Sequence, residues 1–398
     1  MAPARNASDA GTEAGRVNDF GIPRTIFAPE HDLFRDSVRR FIEAEVMPFH
    51  AQWEADGMVS RAVWRKAGEA GILGTSIPEQ YGGSEGGFLF DAVVLEELGR
   101  AGASGPAWDL HSYIVAPFLI KFATDRQKRR WLPGMASGEI IASIGMTEPD
   151  GGSDLQAIRT TAIRDGDHYV VNGSKIFITN GIIGDLLLLA AKTDPAQGAK
   201  GVSLFLVDTA TKGYRKGGNL KKIGNKAQDT AALYFDDMRI PADCLLGGEK
   251  DGWRLLMSGL VQERLIVAVR SMAICEAALG QTVDYTKTRQ AFGQPVFAFQ
   301  NSRFKLADAA TEAQVGRVFV DRCIELHARG KLDMRSAAMA KLWTTELQHR
   351  LLDECLQLHG GYGYMWEYPI ARAWADARVH RIYAGTNEIM REIIGRTL

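Results

Sequence analysis

Along the first third of the chain, apolar residues recur at helical steps. Phe34, Val38, Phe41, Ile42 and Val46 fall three or four positions apart, which predicts an amphipathic helix, and Pro48 predicts a break or kink there. Residues 60–70, 90–99 and 111–124 carry the same period, separated by glycine-rich turns such as Tyr81-Gly82-Gly83. After Gly138 the texture changes. Residues 140–146, 168–171, 175–179, 185–192, 201–207 and 230–235 are short apolar or β-branched runs, and the Asp-Gly, Asn-Gly and Gly-rich turns between them predict antiparallel strands. Asn172-Gly173 has the chemistry of a hairpin turn. From Asp251 the 3.6-residue period returns over 253–286, 300–327, 336–358 and 386–398. The pattern predicts an α+β chain with a flexible arm (1–27), a helical N-terminal domain (28–140), a middle antiparallel β domain (141–248) and a C-terminal helical domain (249–398).

Composition narrows the function. Of 398 residues, 46% are apolar, enough for a sizeable core, and 47 Lys and Arg balance 48 Asp and Glu. Without a basic surplus, no nucleic-acid partner is expected. The longest strictly apolar run, 186–191, is too short to cross a bilayer, so no membrane partner is expected either. Cys244, Cys275, Cys323 and Cys355 form no CxxC pair, which argues against a zinc site and leaves no metal ligand set; free thiols suit a reducing compartment. The first 25 residues lack an apolar stretch and include Asp9, Glu13 and Asp19, so a cytoplasmic location is expected. There is no GxGxxG after a strand, no GxxxxGK[ST] and no HExxH. A GxSxG string at 82–86 has no strand feeding it, as a nucleophile elbow requires.

Four constellations could carry chemistry. Residues 145–154, from Gly145 to Asp154, follow an apolar run; Thr147 and Ser153 offer hydroxyls, and Gly151-Gly152 lets a ligand approach the backbone, though a plain surface turn has the same composition. Glu263 stands in an apolar helix, on one face with Leu256, Leu260, Val267 and Ile274. A carboxylate there either pairs with a cation or is raised by desolvation into the range of a general base. Arg264 diverges from it in direction and need not neutralise it. Thr386 before an apolar-periodic run reads as a helix N-cap, and a helix start also offers N–H groups to an anion or carbonyl. Residues 288–293 join Arg289, Phe292 and Gly293 at a helix end, suited to a phosphate and a flat ring, or simply to the helix dipole.

Together these segments resemble the acyl-CoA dehydrogenase family from about residue 28 to 398. The resemblance rests on Thr147-Glu148-Pro149 with Gly152-Ser153-Asp154, on Lys175-Ile176-Phe177-Ile178-Thr179-Asn180-Gly181, and on Arg289, Phe292-Gly293 and Gln300. It continues in Gln357-Leu358-His359-Gly360-Gly361 and Tyr383-Ala384-Gly385-Thr386. It implies a helical N-terminal domain, a middle β domain and a C-terminal four-helix bundle with FAD between the last two. Met146, Thr147, Gly152, Ser153, Phe177, Thr179, Thr386 and Glu388 would contact the flavin. In the family's usual homotetramer, a neighbouring subunit would add Arg289, Phe292, Gln300, Gln357 and Gly361. Ser153, Val261, Arg264 and Gly385 would meet the substrate.

One departure matters. Many members carry the catalytic glutamate immediately before the Gly-Thr pair, where this chain has Ala384. Long-chain and isovaleryl-type members place it earlier, in a Glu-Arg pair that Gln262-Glu263-Arg264 resembles. The implied reaction is α,β-dehydrogenation of an acyl-CoA, with Glu263 as base and the Ala384 backbone N–H on the thioester carbonyl. An electron-transfer flavoprotein is the implied acceptor. Segments 355–361, 364–370 and 385–390 resemble long-chain members most. A branched or short-chain substrate, a non-catalytic acyl-CoA-binding homologue and an acyl-CoA oxidase are the competing readings.

Overall fold

The computed structural model describes residues 21–398, so the expected arm lies outside the described residues up to position 20. Residues 21–27 are not loose: Arg24 donates to Glu96 and Asp321 at 2.7–2.9 Å and anchors this stretch to two helices.

The N-terminal part contains α1 (Pro29–Phe41), α2 (Met47–Asp56), α3 (Arg61–Glu69), α4 (Phe88–Ala101), α5 (Ala116–Phe122) and α6 (Asp125–Ser137). Between α1 and α2 the chain passes through a π-helical turn, Ile42–Val46, and Pro48 then sits in the first turn of α2, where its missing N–H costs nothing. The expected kink is thus a change of helical pitch. A second π-helical turn, Asp109–Val115, leads into α5.

The middle part is one sheet. Its strands are β1 (Ala142–Gly145), β2 (Thr161–Asp165), β3 (His168–Thr179), β4 (Leu186–Lys192), β5 (Val202–Asp208), β6 (Tyr214–Asn219), β7 (Thr230–Pro241) and β8 (Leu245–Leu246). They run in the order β6-β7-β3-β2-β4-β5-β8, with β1 beside β4. The long ladders are antiparallel, as expected, but β1 and one residue of β2 pair with β4 in parallel. Leu186 to Ala191 on β4 are buried on both faces, which is why that run shows no alternation.

Asn172-Gly173 is not a turn. It lies inside β3 at a bulge against β7; Gly173 has φ 143°, and a Cβ there would come within 2.6 Å of Thr160 Oγ1. The hairpin turns instead at Gly166-Asp167, between paired Asp165 and His168. A glycine in a strand serves a bulge or close approach as readily as a turn, and the neighbour Thr160 decides between them.

The C-terminal part begins with α7 (Gly252–Thr288). A small hairpin, β9 (Gln290–Ala291) and β10 (Gln294–Pro295), follows, then α8 (Gln300–Ala328), α9 (Met334–His359), α10 (Pro369–Ala377) and α11 (Asn387–Gly395). At roughly 1.5 Å per residue α7 is about 55 Å long. It packs against α4, α8 and α9, and its most apolar stretch is 72% buried, so its hydrophobicity serves the core. All four cysteines are free and buried.

Candidate active site

Glu263 lies in the fourth turn of α7, half-buried, with buried Arg264 next to it. Burial pushes its carboxyl up to about 7, against the opposing pull of Arg264 and Lys341. No ion pair joins it to Arg264, whose Nη1 reaches Met334 Sδ and whose buried Nε has no partner among the described residues. The preceding Gln262 locks the helix in place: its Nε2 donates to Tyr113 O in the π-helical turn at 2.8 Å, and its Oε1 lies 3.1 Å from His327 Nε2. Burial keeps that histidine neutral, with its pKa lowered to about 4.

A tight turn lies beside Arg264. Ala384 and Gly385 both take left-handed backbone, at φ 56° and 87°, and Thr386 then caps α11 by accepting from Ile389 N at 3.4 Å, the role expected from its place in the sequence. A Cβ on Gly385 would stand 3.8 Å from Arg264 Nη2, which places the turn against the Glu263-Arg264 pair. Lys341 on α9 holds the turn from behind, its Nζ donating to Gly385 O and Asn387 Oδ1, both at 2.8 Å. Tyr383 stacks on His380, ring centroids 5.3 Å apart and planes 9° apart. Val261 is half-buried two residues before Glu263, and Glu388 is exposed in the first turn of α11.

Six of the residues expected at the flavin, Met146, Thr147, Gly152, Ser153, Phe177 and Thr179, form a shelf beside the sheet, while Thr386 and Glu388 lie at the start of α11. Lys175 Nζ donates to Glu148 Oε1 at 2.7 Å and to Met146 O at 3.1 Å; Glu148 also accepts from Arg159 N and Thr160 N. Ile176 N donates to Thr147 O at 2.9 Å. The loop that follows β1 is thereby riveted to β3. Above it Phe177 presents a ring 65% exposed, on left-handed backbone at φ 60°. Thr147 and Thr179 are half-buried, Ser153 is exposed, and nothing stands within 4 Å of where a Cβ on Gly152 would be. An exposed ring, accessible hydroxyls and open backbone suit the flavin ring system of FAD. Met146 also packs in one cluster with Leu255 and Leu256, so the shelf adjoins the start of α7.

The remaining expected contacts lie elsewhere. Arg289, Phe292, Gln300, Gln357 and Gly361 gather at the C-terminal end of α7. Arg289 lies 5.4 Å from the centre of the Tyr362 ring, and Phe292 is 96% exposed at φ 51°. Space is open where a Cβ on Gly361 would stand. Arg289 follows Glu263 by 26 positions, so about 39 Å of helix separates the two. Within one chain this group does not reach the Glu263 site.

The sequence pattern assigns no role to Lys341, to Asn387 or to the side chain of Gln262. Lys341 stands in Ala340-Lys341-Leu342 and looks like any helix lysine; its acceptors are more than 40 positions away. The one available signal is its setting on one helix face with Ala337, Ala338, Thr344 and Thr345, a face too small and apolar to be a solvated one.

Family models for the acyl-CoA dehydrogenase N-terminal, middle and C-terminal domains match residues 28–139, 143–238 and 250–398. The chain is 48% identical to the mitochondrial long-chain specific acyl-CoA dehydrogenase of Mus musculus, over all of this chain and 94% of that protein. A crystal structure of an acyl-CoA dehydrogenase from Geobacillus kaustophilus superposes with a TM-score of 0.93 at 46% identity, covering 94% of this chain and 99% of that one. A chain from a structure described as the electron transferring flavoprotein of Acidaminococcus fermentans gives 0.89 at 34% identity, with 93% and 98% covered. With three domain models matched in order over the fold built above, the chain belongs to the acyl-CoA dehydrogenase family, oxidoreductases whose reaction is the FAD-dependent dehydrogenation of acyl-CoA.

Proposed function

We propose that this protein converts an acyl-CoA to its trans-2-enoyl-CoA with Glu263 as the base, FAD as cofactor and medium or long acyl chains as substrates. The observation that carries the assignment is the half-buried Glu263, without an ion-pair partner among the described residues and with its carboxyl near 7, next to the Arg264 against which the left-handed Ala384-Gly385 turn lies. Such a base can be charged at neutral pH yet hold a proton, as general-base chemistry requires. The likeness to long-chain relatives supports the chain length.

Bound FAD supplies the acceptor for the β hydrogen, which leaves the substrate as hydride. The rest falls to the chain. Glu263 takes the α proton on a carboxylate oxygen. The Ala384 N–H donates to the thioester carbonyl and favours the developing negative charge, a task that survives loss of a side chain at this position. Arg264 and Gly385 line the reacting end of the substrate. Thr147, Ser153, Phe177 and Thr179 hold and orient the flavin. The separation of the Arg289 group from Glu263 supports an assembly, most simply the homotetramer, in which one copy's hairpin serves another copy's flavin. The electron-transfer flavoprotein as acceptor is part of the same reading, supported by the likeness to a chain from a structure of that name.

Glu263→Gln tests the assignment. The variant should purify with its FAD, while flavin reduction by excess acyl-CoA in anaerobic stopped flow falls by about 10²–10⁴-fold, the usual worth of a general base. Reduction at the wild-type rate would remove Glu263 from this role.

A further inference from the structure

Lys341 is wholly buried, and nothing in the proposed reaction uses it. Two of its three donor hydrogens go to Gly385 O and Asn387 Oδ1, and no carboxylate pairs with it among the described residues. Its acceptors bracket Thr386, so one ammonium group ties together both ends of the turn that begins at Ala384. Asn387 is buried too, and is held in orientation by Thr345 and Glu346 from the same helix as Lys341. The turn needs such a clamp. Two successive left-handed residues, one of them alanine, are an unfavourable backbone that persists only where its surroundings over-determine it. A buried lysine with no counter-ion is equally costly unless its charge serves something nearby.

We propose that Lys341 is the positioning residue of the site: it holds the Ala384-Gly385 turn so that the Ala384 N–H points at the thioester carbonyl. Below about pH 7 its positive charge also favours the ionised form of Glu263. The inference rests on the function proposed above. The groups facing Lys341 are Glu263 and Arg264 on α7, Glu346 on its own helix, and His380, Arg381 and Glu388 on the segment leading into α11. Burial and Arg264 lower the Lys341 ammonium to about 7. Burial lowers His380 to about 3, so that imidazole carries no charge that could replace it.

The test compares Lys341→Met, Lys341→Gln and Glu263→Gln, each as the FAD-loaded protein. For Lys341→Met, flavin reduction at saturating acyl-CoA should slow by about 10–100-fold, somewhat less than deleting an oxyanion donor outright, while the acyl-CoA dissociation constant changes less than about threefold. The acid limb of its pH–rate profile should move up by about half a unit or more, because a cation favouring the Glu263 carboxylate is gone. The infrared carbonyl band of bound enoyl-CoA, carrying a ¹³C-labelled thioester, should lose part of its shift to low frequency. Lys341→Gln keeps a donor without the charge, so it should retain more of the rate and of the carbonyl shift but show the same displaced limb. A wild-type rate, limb and carbonyl band in either folded lysine variant would overturn the inference while a dead Glu263→Gln left the proposed function standing. A fully active Glu263→Gln would bring down both. If neither lysine variant folds with FAD, Lys341 serves the packing of α9 on α11 and the inference falls.

Discussion

Two glutamates in this molecule, one buried and one half-buried, have opposite fates. Glu96 on α4 is fully buried and meets three guanidinium groups, Arg24, Arg35 and Arg317, at 2.7–2.8 Å. Burial alone would raise its carboxyl, but Arg24, Arg317 and Arg35 hold it well below the ordinary range. Glu263 on α7 is less deeply buried, has no such partner among the described residues, and sits near 7. The Glu96 cluster joins the N-terminal stretch, α1, α4 and α8, and through Arg317 and Glu276 reaches α7 as well. One carboxylate is held ionised by paired cations; the other, under only the weaker pull of Arg264 and Lys341, stays near the point where it can change state. Burial of an acid therefore says little about function until its partners are counted.

Removing each in turn sharpens that contrast. Glu96→Gln takes the shared, fully buried carboxylate from three guanidinium groups, leaving each only its second partner (Asp321, Glu97 or Glu276), and should cost the most, about 3–5 kcal/mol, read as a lowered denaturation midpoint with little change in activity per folded, FAD-loaded molecule. Because the Glu96 carboxyl is depressed, its contribution is present above the unfolded carboxylate pKa and is lost as pH falls through the folded value. The variant should therefore lose part of the wild type's sensitivity to acid unfolding. Glu263→Gln should do the reverse. With a folded pKa raised from 4.5 to about 7, the carboxylate is a burden that is absent below about pH 4.5 and complete above about pH 7. The variant should be more stable by about 2–3 kcal/mol at pH 8 and no more stable at pH 4. Equal melting curves at pH 8 would mean that Glu263 is compensated after all. The smallest effect is on the wild type's own pH profile. The rate of flavin reduction should rise about tenfold per pH unit, close to 1.4 kcal/mol, up to about 7 and then level. A profile that bends near 4.5 instead would erase the difference between the two glutamates.

The layering of the fold was legible because helix and strand periods differ and change abruptly near Gly138 and Asp251. Glu263 was legible for a related reason: a carboxylate inside an apolar helix breaks the pattern that surrounds it. Thr386 was found by its capping position. Lys341 was not, because its partners arrive from a distant segment and its own neighbours describe only a helix. Gly173 misled because turn and bulge draw on the same backbone freedom. The Arg289 segment was recognisable as a motif, but only the length of α7 shows how far it lies from the site it resembles.

That length has a genetic consequence. If each copy's hairpin completes a neighbour's flavin site, damage at Arg289 is felt by the neighbour and damage at Glu263 only by its owner. Copies defective at opposite ends of the helix would then complement each other when co-assembled, some sites inheriting both intact halves. Copies defective at the same end would not, and an Arg289 lesion would act on healthy partners as a dominant one.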